Sequence, residues 1–127
     1  MPITVKIPSS VVDEIIEYSK NAFPNEFFAF LEGSVTMGGT VVIKNLAYYP
    51  NDTSQGSVAT VYHMGTHTTD FVGTVHSHPG GENYPSRQDL RTFNKDGVVH
   101  LIIKNPYKKE NLKCFGLDGK ELEFEII

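Results

Sequence analysis

The sequence VHSHPGGENYPSRQD, residues 75–89, joins two different structural patterns. Phe71 to His76 is a short β-rich run that predicts a strand, and the proline that follows the second histidine ends it. Ser86 with Asp89 has the spacing of a capping box, so a short helix is predicted over residues 86–94. A glycine-bearing loop connects them. The stretch therefore predicts a strand, a tight loop and a helix that folds back toward the strand end.

Three side chains of this unit can converge. His76 and His78 are two apart on the predicted strand, so both imidazoles leave the same face, about 6.6 Å apart at their origins. Asp89, in the first helical turn, can supply a third ligand. Two imidazole nitrogens and a carboxylate oxygen suit zinc, and three protein ligands leave a fourth position for a water that the metal activates for hydrolysis. Taken alone, Ser-x-x-Asp is also an ordinary helix cap, and both interpretations can hold together.

The patterns along the rest of the chain predict a single α+β, or mixed α/β, domain over residues 1–127, built on one sheet with few helices. An alternating strand, Ile3 to Ile7, precedes a helix that is capped by Ser10 with Asp13 and ends before Pro24. The further predicted strands are residues 27–31, 40–48, 58–62, 98–103, 112–117 and 122–126. Gly33 with Gly38-Gly39, and later Asp118-Gly119, are predicted to turn two hairpins.

Net charge, cysteine content and the length of the apolar runs argue against several classes of function. The 127 residues carry a formal net charge of -4 with a pI near 5.7, which argues against nucleic acid as a partner. Cys114 is the only cysteine, so no intramolecular disulfide can form, and a reducing compartment fits. The longest apolar run, Phe27 to Leu31, is far too short to span a membrane. We expect a soluble, cytoplasmic protein.

The spacing His-x-His, seven residues, Ser-x-x-Asp resembles the motif of the JAMM, or MPN-plus, zinc metalloprotease family. The resemblance spans nearly the whole chain and is closest to the compact archaeal members. Glu26, after the first helix and at the start of the next strand, stands where that family carries a glutamate. Ala29 replaces the glycine that the family often has three residues later, a departure that affects packing more than chemistry.

The resemblance implies a cytidine-deaminase-like fold with a curved mixed sheet flanked by a few helices. It also implies one Zn²⁺ per chain on His76, His78 and Asp89, with water completing the shell. Glu26 would act as general base toward that water and then as general acid, with its pKa raised by burial. Ser86 would help to hold the oxyanion.

The implied substrates are isopeptide or peptide bonds after the C-terminal Gly-Gly of ubiquitin-like or sulfur-carrier proteins. Such a tail would bind as an added strand, and Ser57 to Tyr62 is the candidate edge. A peptidase that matures a sulfur carrier would use the same site on another leaving group. A non-catalytic MPN-type scaffold or protein-interaction module is the alternative from a different class, and the intact ligands argue against it. The sequence does not indicate an oligomeric state, the modifier protein or an activating partner.

Other candidate residues have simpler interpretations. A zinc nucleobase deaminase would require a Pro-Cys-x-x-Cys pair, which a single cysteine excludes. Glu32 is a rival to Glu26 as the base, but beside Gly33 it is interpreted as a solvent-facing strand end. His63 and His67 fall in a threonine-rich segment that predicts a loop. His100 is predicted to be a core or edge histidine, and Cys114 a small core residue.

Overall fold

Eight strands within residues 3–47, 71–93 and 97–127, the ranges described by this computed structural model, form one mixed sheet. The strands are β1 (Thr4–Ile7), β2 (Phe28–Val35), β3 (Thr40–Ala47), β4 (Phe71–His78), β5 (Val99–Lys104), β6 (Leu112–Phe115), β7 (Glu121–Leu122) and β8 (Phe124–Ile126). The helices of these ranges are α1 (Ser9–Ala22) and α2 (Arg87–Phe93), and a 3-10 turn, Lys109–Asn111, precedes β6.

The strand order β7-β6-β5-β4-β2-β3-β1-β8 shows that the sheet is curved and nearly closed. β7 and β8 are separated in the chain by Glu123 alone, yet they lie at opposite ends of this order. β1 pairs in parallel with β3 and β8, and β4 pairs in parallel with β5, whereas the other pairings are antiparallel. The predicted α+β class with a curved mixed sheet is confirmed, and the cytidine-deaminase-like description is compatible with it.

β4 lies in the middle of the sheet and is buried along nearly its whole length. It is paired with β2 on one side and β5 on the other. Gly73 permits the close approach to β5, because a Cβ atom there would lie 1.6 Å from the carbonyl oxygen of Val99. The strand that ends in the two histidines is therefore fixed from both sides.

α1 packs Val11, Val12 and Ile15 into the core, as its apolar pattern predicts. The predicted cap is wrong: the helix begins at Ser9 after Pro8, and no side chain caps it. The backbone N–H groups of Val11 and Val12 both donate to the Pro8 carbonyl. Pro8 occupies the N-cap position, with its φ held at -61° by the ring. The helix therefore begins at Ser9, and Ser10 lies inside its first turn instead of at the cap.

Gly33 does not turn the first hairpin. β2 continues through it to Val35, and the turn lies at residues 36–39, where the Thr36 N–H donates to the Thr40 carbonyl. Gly33 sits instead at a register shift between β2 and β3, where an added Cβ would lie 2.1 Å from the Val42 carbonyl oxygen. The glycine is required for close packing of two strands.

The predicted closing hairpin is correct only in its first half. Asp118-Gly119 does turn the chain, and β7 pairs with β6. The remaining residues pair in parallel with β1, because the curvature of the sheet brings the open edge of β1 close enough to accept another strand. The periodicity of Leu122 to Ile126 identifies strand residues but cannot tell which edge they join.

His100 and Cys114 are both buried in the sheet, which confirms their predicted core positions. The His100 Nδ1 lies 2.7 Å from the Thr74 Oγ1 on the neighbouring strand. Burial raises the pKa of the Cys114 thiol to about 12, so the thiol is unreactive.

The predicted strand Val58 to Tyr62 and the candidate edge Ser57 to Tyr62 lie outside the described residues, as do His63 and His67. Among the helices that are described, none has the length and apolar character needed to cross a membrane.

The close contact between β4 and β5 gives a stability prediction. Gly73→Ala places a methyl group against the Val99 carbonyl and should lower the free energy of unfolding by about 3 kcal/mol. Gly38→Ala is the matched control, because the nearest atom to an added Cβ there is 3.9 Å away. We expect the control to stay within about 0.5 kcal/mol of the original chain in urea unfolding. Equal unfolding midpoints for the two variants would contradict the packing described for β4.

Candidate metal centre

The two motif histidines occupy the C-terminal end of β4, where the hydrogen-bond ladder fixes their direction. His76 is opposite Phe28 of β2, and His78 is opposite Lys104 of β5. His76 is buried and His78 is partly exposed. Their Nε2 atoms lie 3.1 Å apart, so both rings point toward the same place above the strand end. The predicted convergence of the two imidazoles is what the coordinates show.

The third group comes from the start of α2. The Ser86 N–H donates to Asp89 Oδ2 at 2.8 Å, and the Asp89 N–H donates to Ser86 Oγ at 3.1 Å. These reciprocal bonds are the capping box that the sequence predicts. They also direct the carboxylate back toward the strand: Oδ2 lies 3.3 Å from the Nε2 of His76 and 3.4 Å from that of His78.

The three atoms have the dimensions of a metal site. A tetrahedral zinc ion with bonds of about 2.05 Å to nitrogen and oxygen separates its ligand atoms by about 3.3 Å. The observed edges, 3.1, 3.3 and 3.4 Å, form a triangle of nearly that size. His76, His78 and Asp89 are also the group that the described residues offer as a possible metal site. Three ligands of this type leave the fourth position for solvent.

The loop between β4 and α2 fixes the tautomer of one ligand. The His78 Nδ1–H donates to the backbone carbonyl of Glu82 at 2.5 Å. A histidine that holds its proton on Nδ1 presents a free lone pair on Nε2, which is the atom that faces the other two ligands.

The charges at the site are strongly coupled. Burial pushes the pKa of Asp89 upward, but hydrogen bonds to His76 and His78, the positive charge near it and the Ser86 N–H outweigh this and hold the pKa well below its ordinary value. The pKa of His78 is raised, first by its hydrogen bond to Asp89, against the opposing effect of burial. Asp89 is thus an anion that attracts a cation, which is a proton when no metal is bound.

Glu26 lies beside this group. Phe28 of β2 is opposite His76 of β4. The Ser77 N–H donates to the Phe27 carbonyl at 3.0 Å. The Phe27 N–H donates to the buried Ser77 hydroxyl at 2.8 Å. Glu26 directly precedes Phe27 in the chain, so it lies at the end of β2 that is nearest to His78. The negative charge of Glu26 raises the pKa of His78, which agrees with that placement.

The environment of Glu26 differs from the expectation in one respect. The side chain is exposed, so the expected burial of this carboxylate is wrong for the protein alone. The reason is local: Glu26 lies in the short connection between α1 and β2, before the strand enters the core at Phe27. Any desolvation of the carboxylate must come from a substrate that covers it.

Glu32 is not at the site. It is opposite Phe71, at the far end of β4 from the histidines, and four residues along β2 from Phe28. At the rise of a strand that is roughly 13 Å. Glu32 is also an internal residue of β2, so its prediction as a strand end is wrong.

Sequence patterns do not predict two buried residues of the site region. Tyr107 is buried, adopts a positive φ of 65°, and its hydroxyl has no hydrogen-bond partner among the described residues. Burial and the charge of Glu26 raise its pKa. Asn83 is a buried polar residue in the loop itself. Neither belongs to a local pattern, and each is brought to the site by contacts between distant parts of the chain.

Comparison with known proteins agrees with this geometry. The profile of the Prok-JAB family, prokaryotic homologues of the JAB domain, matches residues 8–117. A probable metalloprotease from Haloferax volcanii is 32% identical over 129 residues, covering 97% of this chain and 80% of that protein.

Two solved structures are also similar to this chain in fold and in sequence. A JAB1/MPN domain protein from Archaeoglobus fulgidus superposes with a TM-score of 0.75 at 32% identity, over 96% of this chain and 98% of the other. A structure described as "JAMM: a metalloprotease-like zinc site in the proteasome and signalosome" gives a TM-score of 0.72 at 30% identity, over 100% and 99% of the two chains. With a family match over most of its length and a His-His-Asp triangle of zinc dimensions, the chain belongs to the JAMM/MPN metalloprotease family, in its prokaryotic JAB branch.

Proposed function

We propose that this protein is a zinc-dependent isopeptidase or peptidase that cleaves after the C-terminal Gly-Gly of a ubiquitin-like or sulfur-carrier protein. The observation that supports it most strongly is the triangle of His76, His78 and Asp89, with Glu26 next to it. A scaffold module of the same fold would have no need for three ligands at metal-binding separations. The Gly-Gly specificity rests on the resemblance of the motif, and the cytoplasmic location stays a prediction.

Zinc bound here would lower the pKa of a coordinated water and polarise the scissile carbonyl. Proton transfer would be carried out by a side chain of the protein. In this proposal Glu26 accepts a proton from the attacking water and delivers it to the departing amine. In the free protein its carboxylate is exposed, so we infer that bound substrate covers it and excludes water from it.

Ser86 has a free proton for the oxyanion. Its Oγ accepts the Asp89 N–H at 3.1 Å, which uses a lone pair and leaves the hydroxyl hydrogen available to donate. The same hydrogen bond connects Ser86 to Asp89, one of the three residues that would hold the metal. Ser86 therefore combines two roles in this proposal, as the cap of α2 and as the donor to the developing negative charge.

A panel of fusions tests the proposed reaction. The zinc-loaded protein should cleave one or more ubiquitin-like or sulfur-carrier fusions after Gly-Gly, and a chelator should stop it because the metal supplies the nucleophile. Mass spectrometry of the products identifies the bond that is cut, and comparison of amino-acid, peptide and lysine-linked leaving groups separates sulfur-carrier maturation from isopeptide cleavage.

His78→Ala is the control for this assay. It should lose both zinc and cleavage but stay folded, because His78 lies at the partly exposed strand end and outside the hydrophobic core. Cleavage that survives complete metal removal, or an inactive zinc protein across the whole panel, would contradict the proposal.

The role of Glu26 gives a second prediction. Glu26→Gln keeps the shape of the side chain but removes its capacity to accept a proton, so zinc content should be unchanged while kcat falls by about 10² to 10⁴-fold. Glu32→Gln is the matched control, because Glu32 lies within β2 and remote from the triangle, and it should keep its activity. Full activity of Glu26→Gln would show that another group is the base.

Ser86→Ala provides a graded comparison within the same series. Loss of one oxyanion donor typically lowers the rate by about 10² to 10³-fold. Loss of the cap should also lower stability by about 1 kcal/mol and disturb Asp89. We expect a smaller loss of kcat than for Glu26→Gln, together with weaker zinc binding, which Glu26→Gln should not show.

A further inference from the structure

The loop between β4 and α2 begins with residues that give it little stiffness of its own. Pro79 is followed by Gly80 and Gly81, and Gly81 has a φ of 88°, a conformation that glycine adopts freely. Around both glycines the space that a Cβ would occupy is empty within 4 Å. The next residue, Glu82, nevertheless supplies the backbone carbonyl that accepts the His78 Nδ1–H. Something beyond the glycines must hold that carbonyl in place.

Asn83 is the buried residue that directly follows this carbonyl in the chain. It is only 2% exposed, although the residues on either side of it are exposed. Its Nδ2 donates to the backbone carbonyl of Asn111 at 2.8 Å, across 28 residues of sequence. A buried amide that lost this bond would be desolvated without compensation, so the contact resists displacement.

The acceptor is itself rigid. Asn111 ends the 3-10 turn that precedes β6, and its N–H donates to the Lys108 carbonyl at 2.9 Å. Its side-chain Oδ1 accepts the Lys108 N–H at 3.0 Å. The carbonyl that receives Asn83 therefore belongs to a turn that two hydrogen bonds close, directly before β6.

The other described attachments of this loop use exposed side chains, among them Tyr84, whose ring lies edge-on to Phe115 and whose hydroxyl lies 3.2 Å from the Lys113 Nζ. Lys104 and Glu82 approach only to 4.0 Å, at an exposed position. The Asn105 Nδ2 reaches the Pro79 carbonyl at 3.5 Å, also at the surface. Exposed contacts of this kind contribute little, because water competes for both partners. The Asn83 bond is shorter, at 2.8 Å, and its donor side chain is buried.

We propose that Asn83 is a positioning residue for the zinc ligand His78. Its bond to Asn111 holds the neighbouring Glu82 carbonyl against the His78 Nδ1–H, which keeps the proton on Nδ1 and the lone pair of Nε2 directed at the metal. The proposal rests on the zinc site of the proposed function but not on its substrate. In this proposal Asn83 contacts neither metal nor substrate, yet it helps to determine the affinity of the site for zinc.

The test compares Asn83→Ala and the isosteric Asn83→Asp with the original chain. Competition with a chromophoric chelator measures the zinc Kd, and we expect both variants to bind zinc about tenfold more weakly, in the range seen when outer contacts of metal ligands are removed. Nitrogen NMR of the imidazoles in the metal-free proteins at alkaline pH measures the tautomer of His78. We expect mainly Nδ1–H in the original chain and a mixture in the variants.

Ile43→Val is the control for general loss of stability. Ile43 is fully buried in β3, and removing one methyl group should lower the thermal midpoint without touching the loop. Its zinc Kd and its His78 tautomer should match those of the original chain. If the three variants lost zinc affinity in proportion to their thermal midpoints, the effect of Asn83 would be structural only, and the proposal would be overturned.

Failure of the inference and failure of the proposed function can be told apart. Unchanged zinc affinity and an unchanged tautomer in both Asn83 variants would overturn the positioning role while leaving the zinc enzyme intact. If the original chain bound no zinc, the proposed function would fail, and the tautomer comparison in the metal-free protein would still decide whether Asn83 fixes His78.

Discussion

The reciprocal hydrogen bonds between Ser86 and Asp89 are the contact on which the candidate site depends. They start α2, and the same carboxylate oxygen that accepts the Ser86 N–H faces both imidazoles. Two ligands come from a buried central strand that cannot move without disrupting the sheet. The third comes from a short helix whose first turn is fixed by this cap. One pair of side chains thus joins a rigid sheet to the element that completes the metal triangle.

Metal binding at this triangle must displace protons. The metal-free site is a carboxylate with a lowered pKa beside a histidine with a raised pKa, and two Nε2 atoms 3.1 Å apart, at least one of which carries a proton. Zinc would replace that proton and take the lone pairs of all three groups. The same coupling means that acid competes with zinc for these ligands.

Local patterns in the sequence predict the parts of the site that are local in the chain. The β-rich run that ends at His76 predicts β4, and Ser-x-x-Asp predicts the cap of α2, because both patterns act over a few residues. Glu26 requires the family resemblance, since nothing near it in the sequence marks its partner. The sequence does not predict that Glu26 is exposed, because burial depends on what covers a loop and not on the residue itself.

Contacts between distant residues account for what the sequence does not predict. β8 joins β1 rather than β6 because the whole sheet curves, a property of eight strands together. Gly33 is needed for the approach of two backbones, which a pattern of turn residues cannot distinguish from a turn. Asn83 is an ordinary loop residue until the fold places the Asn111 carbonyl beside it.

In the proposed function, three side chains form one face of a tetrahedral zinc site and leave the remaining position to solvent beside Glu26. Anomalous diffraction at the zinc edge, from crystals of the zinc-loaded protein, locates the metal. We expect one zinc peak at about 2.0 to 2.2 Å from the His76 Nε2, the His78 Nε2 and an Asp89 oxygen, with a solvent ligand facing Glu26. A zinc ion held elsewhere, or one whose fourth ligand is another protein side chain, would contradict it.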